Sequence, residues 1–373
     1  MKKLLLRGLL LALSCSVVIL VSQAQQRKFR TPGLQDTLLL KDYLPQSIFK
    51  TPQTPALKAK YPAIDMHMHA PRAGGPPRGG GEAAAPGDLN KIAAEVVKNM
   101  DDCGVQKTIL FSTTGKAFDA VAAAFGKYPD RFQLWCGFDY SNPPNSLIAE
   151  VERCVKLGAK GVGEISDKGQ GYPSKPPMHL DDPRMDPVLD KLAELHLPIN
   201  VHMGDPRWMY EPMDAHNDLL FEALNFRLDD KPERVNLAGM LQILENAVKK
   251  HPKTTFVACH FANQTYDLSN LAKLFDKYPN LYCDCSQRES YLAAVPRYAK
   301  AFIEKYSDRV MWGTDQGYSV PMYRNTFHIW QTLDEHFYAW DVANTRFALS
   351  GVGLSDATLR KFYRDNQMRI LQK

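Results

Sequence analysis

The amino-acid sequence predicts an α/β protein whose main domain, residues 61–373, is a (β/α)8 TIM barrel with an extended N-terminal arm and extra C-terminal helices. Three observations support this fold class. Eight short runs rich in β-branched and aromatic residues alternate with amphipathic stretches of helical period, which indicates a parallel sheet. The eight units span about 250 residues, the usual size of such a barrel. No glycine-rich phosphate turn follows any run, which disfavours an open doubly wound sheet.

Residues 1–24 have the pattern of a secretory signal peptide. Lys2, Lys3 and Arg7 precede an apolar stretch at residues 8–21, and Ala24 ends a small-residue cleavage site. The apolar stretch is short for a spanning helix, which needs about 20 residues, so an uncleaved membrane anchor is the weaker alternative. We therefore expect an exported protein, periplasmic or secreted, with no membrane segment after cleavage.

The charge of the mature chain argues against a nucleic-acid-binding protein, and its cysteines argue against a disulfide framework. Cleavage removes three positive charges and no negative ones, so the formal net charge falls from +5 to +2. With no basic tract, the chain gives no electrostatic reason to expect a nucleic-acid partner. Six cysteines remain without the spacing of a disulfide framework. Four of them lie in apolar strand-like runs, where buried free thiols are the simpler interpretation.

The elements of the barrel follow an arm at residues 25–60 that contains four prolines. Strands are predicted at residues 63–67, 106–113, 132–138, 161–165, 198–202, 255–260, 281–285 and 310–314. Among the intervening helices, those at residues 89–102, 145–157, 187–195, 237–250 and 291–305 have clear helical periods. Residues 327–344 and 355–371 predict two helices after the last strand.

The stretch AIDMHMH at residues 63–69 places two histidines at the end of the first strand. Side chains at positions i and i+2 of a strand point to the same face, so His67 and His69 stand side by side. Such a pair can hold one cation, but it can equally be two hydrogen-bonded core histidines. The choice depends on whether other strand ends supply partners.

Other strand ends do carry groups of the same kind. Catalytic side chains of such barrels gather at the C-terminal ends of the strands. Imidazole and carboxylate groups together are the ligands that zinc and similar divalent ions prefer. Taken singly, Asp315 can be a turn residue and Glu164 a helix cap, but the set as a whole indicates a metal site. The set comprises His67, His69, Glu164, His202, His260 and Asp315.

With these residues the chain resembles the metal-dependent amidohydrolase superfamily, specifically its amidohydrolase-2 branch. The resemblance runs from about residue 61 to near the C-terminus, through IDMHMH, GVGEIS, INVHMG, VACHFA and VMWGTDQG. It implies that His67, His69 and His202 bind the metal. It also implies that Asp315 is a ligand that handles protons, and that His260 faces the reacting group.

Glu164 leaves the number of ions open. In two-metal members of the superfamily a bridging group lies at the end of strand four, and Glu164 fits that role as a metal ligand. One-metal members often lack such a group. We favour one divalent ion, with zinc expected and manganese or another ion as alternatives. Three or four protein ligands leave a position at which a bound water has its pKa lowered to about 7.

Substrate selection is expected from the loops after the strands. Arg207 lies a few residues beyond His202, and Arg288 follows strand seven. An arginine at either place can grip a substrate carboxylate with two hydrogen bonds, which suggests a small and carboxylated substrate. A surface or inter-loop salt bridge explains either arginine equally well.

Three functions follow from this set of residues. The first is an exported hydrolase acting on a small ester, lactone or amide, with Asp315 and His260 as catalytic groups. The second is a non-oxidative decarboxylase of an unsaturated or aromatic acid, because the same branch contains such enzymes. The third, a non-catalytic binding protein, is disfavoured since binding alone needs no positioned proton carrier. The export signal favours hydrolysis, and the sequence does not indicate an oligomeric state.

Overall fold

A computed structural model describes residues 33–71, 88–112, 114–339, 342 and 345–371, so the predicted signal peptide lies outside the described residues. The chain divides into two compact units, Met1–Leu44 and Pro45–Lys373. The described part of the first unit contains two single-turn 3-10 helices, Leu34–Asp36 and Leu40–Asp42. The second unit contains the barrel. The expected arm at residues 25–60 therefore spans both units.

Parallel strands and helices alternate through the second unit, as the hydrophobic pattern predicts. The described strands are β1 Ala63–His69, β2 Val105–Phe111, β3 Phe132–Trp135, β4 Val162–Asp167, β5 Ile199–Met203, β6 Phe256–Ala258, β7 Leu281–Asp284 and β8 Val310–Met311. The helices are α1 Leu89–Cys103, α2 Gly115–Phe125, α3 Asn145–Lys156, α4 Asp186–Glu194, α5 Leu220–Ala223, α6 Leu237–Lys250, α7 Leu268–Lys277, α8 Glu289–Ala293, α9 Pro296–Lys305, α10 Val320–Gln331, α11 Asp356–Arg360 and α12 Asn366–Leu371. A π-helical turn, Lys361–Asp365, joins the last two helices.

The strands form two parallel sheets, β1–β2–β3 and β4 to β8 in sequential order. Backbone hydrogen bonds join the two sheets at both seams. Between β3 and β4, the Cys136 N–H donates to the Gly161 carbonyl at 3.0 Å. Between β8 and β1, the Met66 N–H donates to the Trp312 carbonyl at 3.0 Å. A Cβ atom at Gly313 would lie 3.0 Å from the His67 Cβ, so glycine permits this close approach. The eight strands therefore form the predicted TIM barrel.

The core has two main layers. A large apolar cluster fills the space between strands and helices, and a smaller one lies inside the barrel around Ile64, Met66 and Phe111. Ile370 of α12 joins the inner cluster, and the Gln367 side chain donates to the Ile64 carbonyl at 3.2 Å. The C-terminal helices therefore cover the end of the barrel opposite the histidines. All six described cysteines are buried and free, which was expected for the four in strand-like runs and not for Cys103 and Cys154.

Several sequence-based boundaries are wrong, and the strands predicted at residues 132–138 and 310–314 end at Trp135 and Met311. The helix predicted at residues 327–344 is α10, which begins at Val320 behind the N-cap Ser319 and ends at Gln331. Just beyond it, Thr332 Oγ1 donates to the His328 carbonyl and accepts from the Asp334 N–H, so the chain turns away. The helix predicted at residues 291–305 is broken before Pro296, which begins α9. The strand predicted at residues 255–260 ends at Ala258.

Among the described residues, none of the helices is long and apolar enough to cross a membrane. Residues 45–60 have no regular helix or strand, but side chains attach them to the C-terminal part of the barrel. Thr54 Oγ1 donates to Asp334 Oδ1 at 2.8 Å, and Lys60 Nζ donates to Asp356 Oδ1 at 2.5 Å.

Candidate metal centre

The end of β1 brings His67 and His69 to the same place, as their spacing predicts. The register against β2 shifts between Asp65 and Met68, which inserts one extra residue into β1. Such a bulge re-aims side chains. The two imidazole rings lie 5.4 Å apart, and both contact the ring of Phe111. His67 is fully buried, whereas the side chain of His69 is 26% exposed and marks the open side of the centre.

Glu164 lies at the middle of four imidazoles. Its Oε1 atom is 2.6 Å from His202 Nδ1 and 3.3 Å from His260 Nε2. Its Oε2 atom is 3.2 Å from His69 Nε2, and His67 Nε2 lies 3.8 Å from Oε1. Burial opposes ionisation of this carboxyl group, but the nearby imidazoles, His202 first, hold the pKa of Glu164 well below its usual range. The carboxylate is therefore charged at neutral pH.

Asp315 supplies the second central carboxylate. Its Oδ1 atom lies 3.2 Å from His69 Nε2 and 3.6 Å from His67 Nε2, and its Oδ2 atom lies 3.8 Å from His260 Nε2. The Asp315 N–H donates to the His67 carbonyl at 2.8 Å, so β1 fixes the position of this residue. Burial opposes ionisation, but the imidazoles, His67 first, hold the pKa of Asp315 far below its usual range.

Three imidazole nitrogens that face this centre make no hydrogen bond among the described residues. They are the buried Nε2 atoms of His67, His69 and His260, which lie 3.2–3.8 Å from carboxylate oxygens of Glu164 and Asp315. Buried polar atoms nearly always make hydrogen bonds, so three such atoms in one place require an explanation. Burial would lower the pKa of His67, but Asp284 and Asp315 raise it to about 9. The carboxylates around His67 therefore favour positive charge at this position.

Two overlapping groups of donor atoms can each surround one ion, with all atoms of a group within 4.8 Å of one another. We call the first the open donor set; it consists of His67, His69 and Asp315. We call the second the closed donor set; it consists of His67, Glu164, Cys259 and His260. His67 belongs to both. His202 belongs to neither and reaches the centre through Glu164.

His202 lies between two carboxylates. Its Nδ1 atom donates to Glu164, and its Nε2 atom is 3.4 Å from Asp205 Oδ1. Burial lowers the pKa of His202, but Glu164 and Asp205 outweigh burial and raise it. Asp205 in turn accepts from Lys168 Nζ at 2.8 Å. Direct ligation by His202 would require Nδ1 to leave Glu164 or Nε2 to turn from Asp205.

His260 does not lie in a strand but in a left-handed turn that follows β6. His260, Phe261, Ala262 and Asn263 all have φ between 51° and 58°. The His260 Nδ1 atom donates to the Ser286 carbonyl at 2.7 Å. Burial and the charge of Arg288 lower the pKa of His260 to about 4, so the ring is neutral at pH 7. Because Nδ1 carries the hydrogen, Nε2 presents a lone pair to the centre.

Asp284 is the main supporting residue that the sequence analysis missed. It is fully buried, and its Oδ2 atom accepts from His67 Nδ1 at 3.2 Å and from Asn200 Nδ2 at 3.0 Å. Its Oδ1 atom accepts from the His260 N–H at 3.1 Å. Outer carboxylates of this kind fix the ring orientation of metal-binding histidines. The sequence signal for Asp284 was its position inside the apolar run LYCDC, because a carboxylate buried there needs a hydrogen-bonding or charged partner.

Asp65 supports the centre from the other side. Its carboxylate accepts from the Thr314 N–H at 3.0 Å and from Thr314 Oγ1 at 2.8 Å, directly before Asp315. It also accepts from the His67 N–H at 3.0 Å. Asp65 therefore connects the strand ends that carry His67 and Asp315.

The two arginines proposed for substrate binding lie in different surroundings. Arg207 forms an ion pair with Glu211, and its side chain is half-exposed. Arg288 is buried, and its Nε and Nη2 atoms donate to Asn263 Oδ1 at 3.1 and 2.7 Å. Its Nη1 atom donates to the Gln287 carbonyl at 2.9 Å. Each arginine thus has a protein partner, and a substrate role stays a prediction.

Comparison with known proteins gives the family and the fold. Residues 64–373 match the family model described as Amidohydrolase. Comparison with curated protein sequences finds no significant match.

Solved structures with the same fold include the 2,6-dihydroxybenzoate decarboxylase from Rhizobium, at 18% identity and a TM-score of 0.52 over 84% of this chain and 99% of that one. A 5-carboxyvanillate decarboxylase from Novosphingobium aromaticivorans with bound manganese has 18% identity and a TM-score of 0.51, over 84% and 98%. A protein from Pseudomonas putida assigned as a 2-pyrone-4,6-dicarboxylic acid hydrolase has 14% identity and a TM-score of 0.53, over 83% and 97%. The names of these proteins include both reactions that the sequence suggests, decarboxylation and hydrolysis.

Proposed function

Because this chain belongs to the amidohydrolase family, we propose that it is a metal-dependent hydrolase of a small carbonyl compound, an ester, a lactone or an amide. The single observation that carries the proposal is the buried centre in which imidazole nitrogens face Glu164 and Asp315 but make no hydrogen bond among the described residues. A structural histidine cluster would satisfy those nitrogens with protein hydrogen bonds.

The donor atoms fit a divalent cation. Imidazole nitrogens and carboxylate oxygens suit zinc and related ions, and the charge of the centre favours a cation. We propose that the open donor set of His67, His69 and Asp315 holds the catalytic ion, with Glu164 and His202 as further ligand candidates. Such an ion polarises a carbonyl group and lowers the pKa of a bound water.

Asp315 is proposed as the proton carrier. Its carboxylate stays ionised and touches the open side beside His69, so it can accept a proton from the attacking water. The same group can then deliver that proton to the leaving oxygen or nitrogen. Its backbone is held by β1 and by the Asp65–Thr314 pair, which keeps the carboxylate aligned.

His260 is proposed to face the reacting group as a neutral imidazole. Its Nδ1 hydrogen is bound to Ser286, so Nε2 acts as an acceptor towards water or a substrate hydroxyl. Since the pKa of His260 is near 4, donation from Nε2 requires prior protonation within the cycle. In this tautomer His260 acts first as a hydrogen-bond acceptor towards the reacting group.

One ion rather than two fits the contacts of His67. Its Nδ1 atom is bound to Asp284, so only Nε2 remains for a metal. Both donor sets need that one atom. We therefore propose a single zinc ion, with manganese as the alternative.

Decarboxylation is the second candidate. Two of the barrels with the same fold are decarboxylases of aromatic acids, and the centre contains proton carriers that can protonate a carbon atom as well as a leaving group. Asp315 or His260 would first take a proton from water and then deliver it to the carbon atom that loses carbon dioxide.

An assay of two products separates the reactions. Purified metal-loaded protein is incubated with aromatic esters, lactones and amides and with phenolic acids. Hydrolysis predicts release of a new carboxylic acid without carbonate, and decarboxylation predicts carbonate release from the phenolic acids. Absence of both products across the panel, with metal bound, would leave the binding-protein hypothesis and contradict our proposal.

We also propose export, which rests on the N-terminal pattern of residues 1–24. N-terminal sequencing of the protein from a bacterial host should find Gln25 or a near neighbour first, in the periplasm or medium. An intact Met1 in the membrane fraction would favour the anchor instead.

A further inference from the structure

Cys259 differs from every other described cysteine in its surroundings. Cys103, Cys136, Cys154, Cys283 and Cys285 pack into the large hydrophobic cluster. Cys259 is equally buried but belongs to no hydrophobic cluster of the described residues. Its thiol donates to Asn200 Oδ1 and lies within 4.8 Å of donor atoms of the metal centre.

The neighbours of this thiol form a complete set of metal donors. They are His67 Nε2, His260 Nε2 and a Glu164 carboxylate oxygen. Both imidazole nitrogens are fully buried and make no hydrogen bond within the described chain. The orientation of the His260 ring is fixed by Ser286, which leaves the Nε2 lone pair directed at the centre. Besides the thiol, the set therefore contains two buried imidazole nitrogens that make no hydrogen bond among the described residues.

The size of the set suits one ion. Zinc bonds to nitrogen, oxygen and sulfur are about 2.0–2.3 Å long, so two donors of one ion lie at most about 4.6 Å apart. Donors within 4.8 Å of one another reach this range with small side-chain shifts. Four protein donors fill a tetrahedral shell and leave no position for water or substrate, which is typical of structural zinc sites.

We propose that the closed donor set is an alternative, inhibitory site for a strongly thiophilic ion such as cadmium. This inference rests on the proposed function, because it shares His67 with the catalytic open set. An ion in the closed set uses the one free nitrogen of His67 and so excludes an ion from the open set. The thiolate selects soft ions, whereas the open set, with two imidazoles and a carboxylate, also suits manganese.

Metal titrations of the full chain test this proposal without an enzyme substrate. Metal-free protein is titrated with Cd²⁺ and with Mn²⁺ by calorimetry, and Cd²⁺ binding is followed by thiolate-to-cadmium ultraviolet absorption. We expect this absorption in the wild type and in the matched control Cys283→Ser. We expect its loss in Cys259→Ser and Cys259→Ala. Circular dichroism checks that each variant is folded.

Histidine variants distinguish the two donor sets. His69→Ala should abolish Mn²⁺ binding and retain the cadmium absorption. His260→Ala should weaken Cd²⁺ binding at least tenfold and leave Mn²⁺ binding within about twofold. In the wild type, Cd²⁺ should displace Mn²⁺ one for one.

Three results would overturn the inference. They are an unchanged cadmium absorption in both Cys259 variants, a joint loss of Mn²⁺ and Cd²⁺ in His69→Ala, and simultaneous binding of one ion of each kind. Failure of the wild type to bind Mn²⁺ or Zn²⁺ at all would instead refute the proposed function. The two failures are therefore distinguishable.

Discussion

At the scale of single residues, protein contacts assign a different task to each histidine of the centre. His69 lies on the open side, His67 is fixed by Asp284, His202 is held between Glu164 and Asp205, and His260 is fixed by Ser286. Four chemically identical side chains therefore differ in exposure, tautomer and charge. Their substitution should give different phenotypes.

The first prediction concerns His260→Ala. This variant should retain about one equivalent of Mn²⁺, because the open donor set lacks His260. Its kcat should fall about 10²-fold or more, the usual scale for loss of one acid–base or oxyanion group. Elemental analysis and turnover on the best substrate of the panel measure both effects.

The exposed His216 provides the control, and His216→Ala should match the wild type. If His260→Ala lost Mn²⁺ as completely as His69→Ala, His260 would be a ligand of the catalytic ion. The site would then be binuclear, with Glu164 as its bridge.

The second prediction concerns Asp315→Asn. The amide can neither carry the proton nor match the carboxylate charge, so both metal affinity and turnover should fall. We expect at least a tenfold weaker Mn²⁺ affinity and almost no turnover. An unaltered affinity together with full activity would remove Asp315 from the site.

At the scale of elements, the left-handed turn after β6 is the part whose backbone conformation depends most on contacts with other parts of the protein. Left-handed backbone costs roughly 1–2 kcal/mol for residues other than glycine and asparagine, and three such residues, His260, Phe261 and Ala262, follow one another here. Asn263 ends this run, and its Nδ2 atom donates to the Gly204 carbonyl at 3.0 Å. Arg288 in turn donates twice to Asn263 Oδ1.

The third prediction follows from this pair. Arg288→Leu leaves Asn263 Oδ1 without its two charged donors, so we expect the free energy of unfolding to fall by about 1–3 kcal/mol. Arg207→Leu, which removes an exposed ion pair with Glu211, should change it by at most about 1 kcal/mol. Urea denaturation measures both. Equal effects of the two substitutions would show that Arg288 does not support the turn.

The elements also show what the sequence can predict. The positions of the strands and of His67 and His69 follow from local patterns, because an apolar run and a period of two are properties of neighbouring residues. The turn at His260 does not, since its backbone is held by Asp284 and its side chains by Ser286 and Arg288, which are distant in sequence. The supporting role of Asp284 could not be predicted for the same reason, because it depends on contacts with residues of two other strands.

At the scale of the whole molecule, the barrel makes the metal centre a place where several strands meet. The six residues predicted from the strand ends are contributed by β1 and β4, by β5, and by the segments after β6 and β8. An ion bound there connects parts of the chain that are far apart in sequence. Metal binding and folding should therefore be coupled.

The fourth prediction is that metal stabilises the fold. At a free metal concentration one hundred times Kd, the native state should gain about 2.7 kcal/mol of stability. With Mn²⁺ as the added ion, chelation should lower Tm in the wild type and leave Tm unchanged in His69→Ala, which lacks a ligand of the open donor set. A Tm that does not respond to metal or chelator would mean that no ion binds preferentially to the native protein.

The metal content of the double variant His67→Ala, His69→Ala tests the central claim most directly. Wild-type protein and the double variant are loaded with Zn²⁺ or Mn²⁺, freed of excess metal and measured by elemental analysis. We predict about one equivalent in the wild type and nearly none in the variant, with native circular dichroism in both. An unchanged metal content in the folded variant would contradict the account and make the two histidines ordinary core residues.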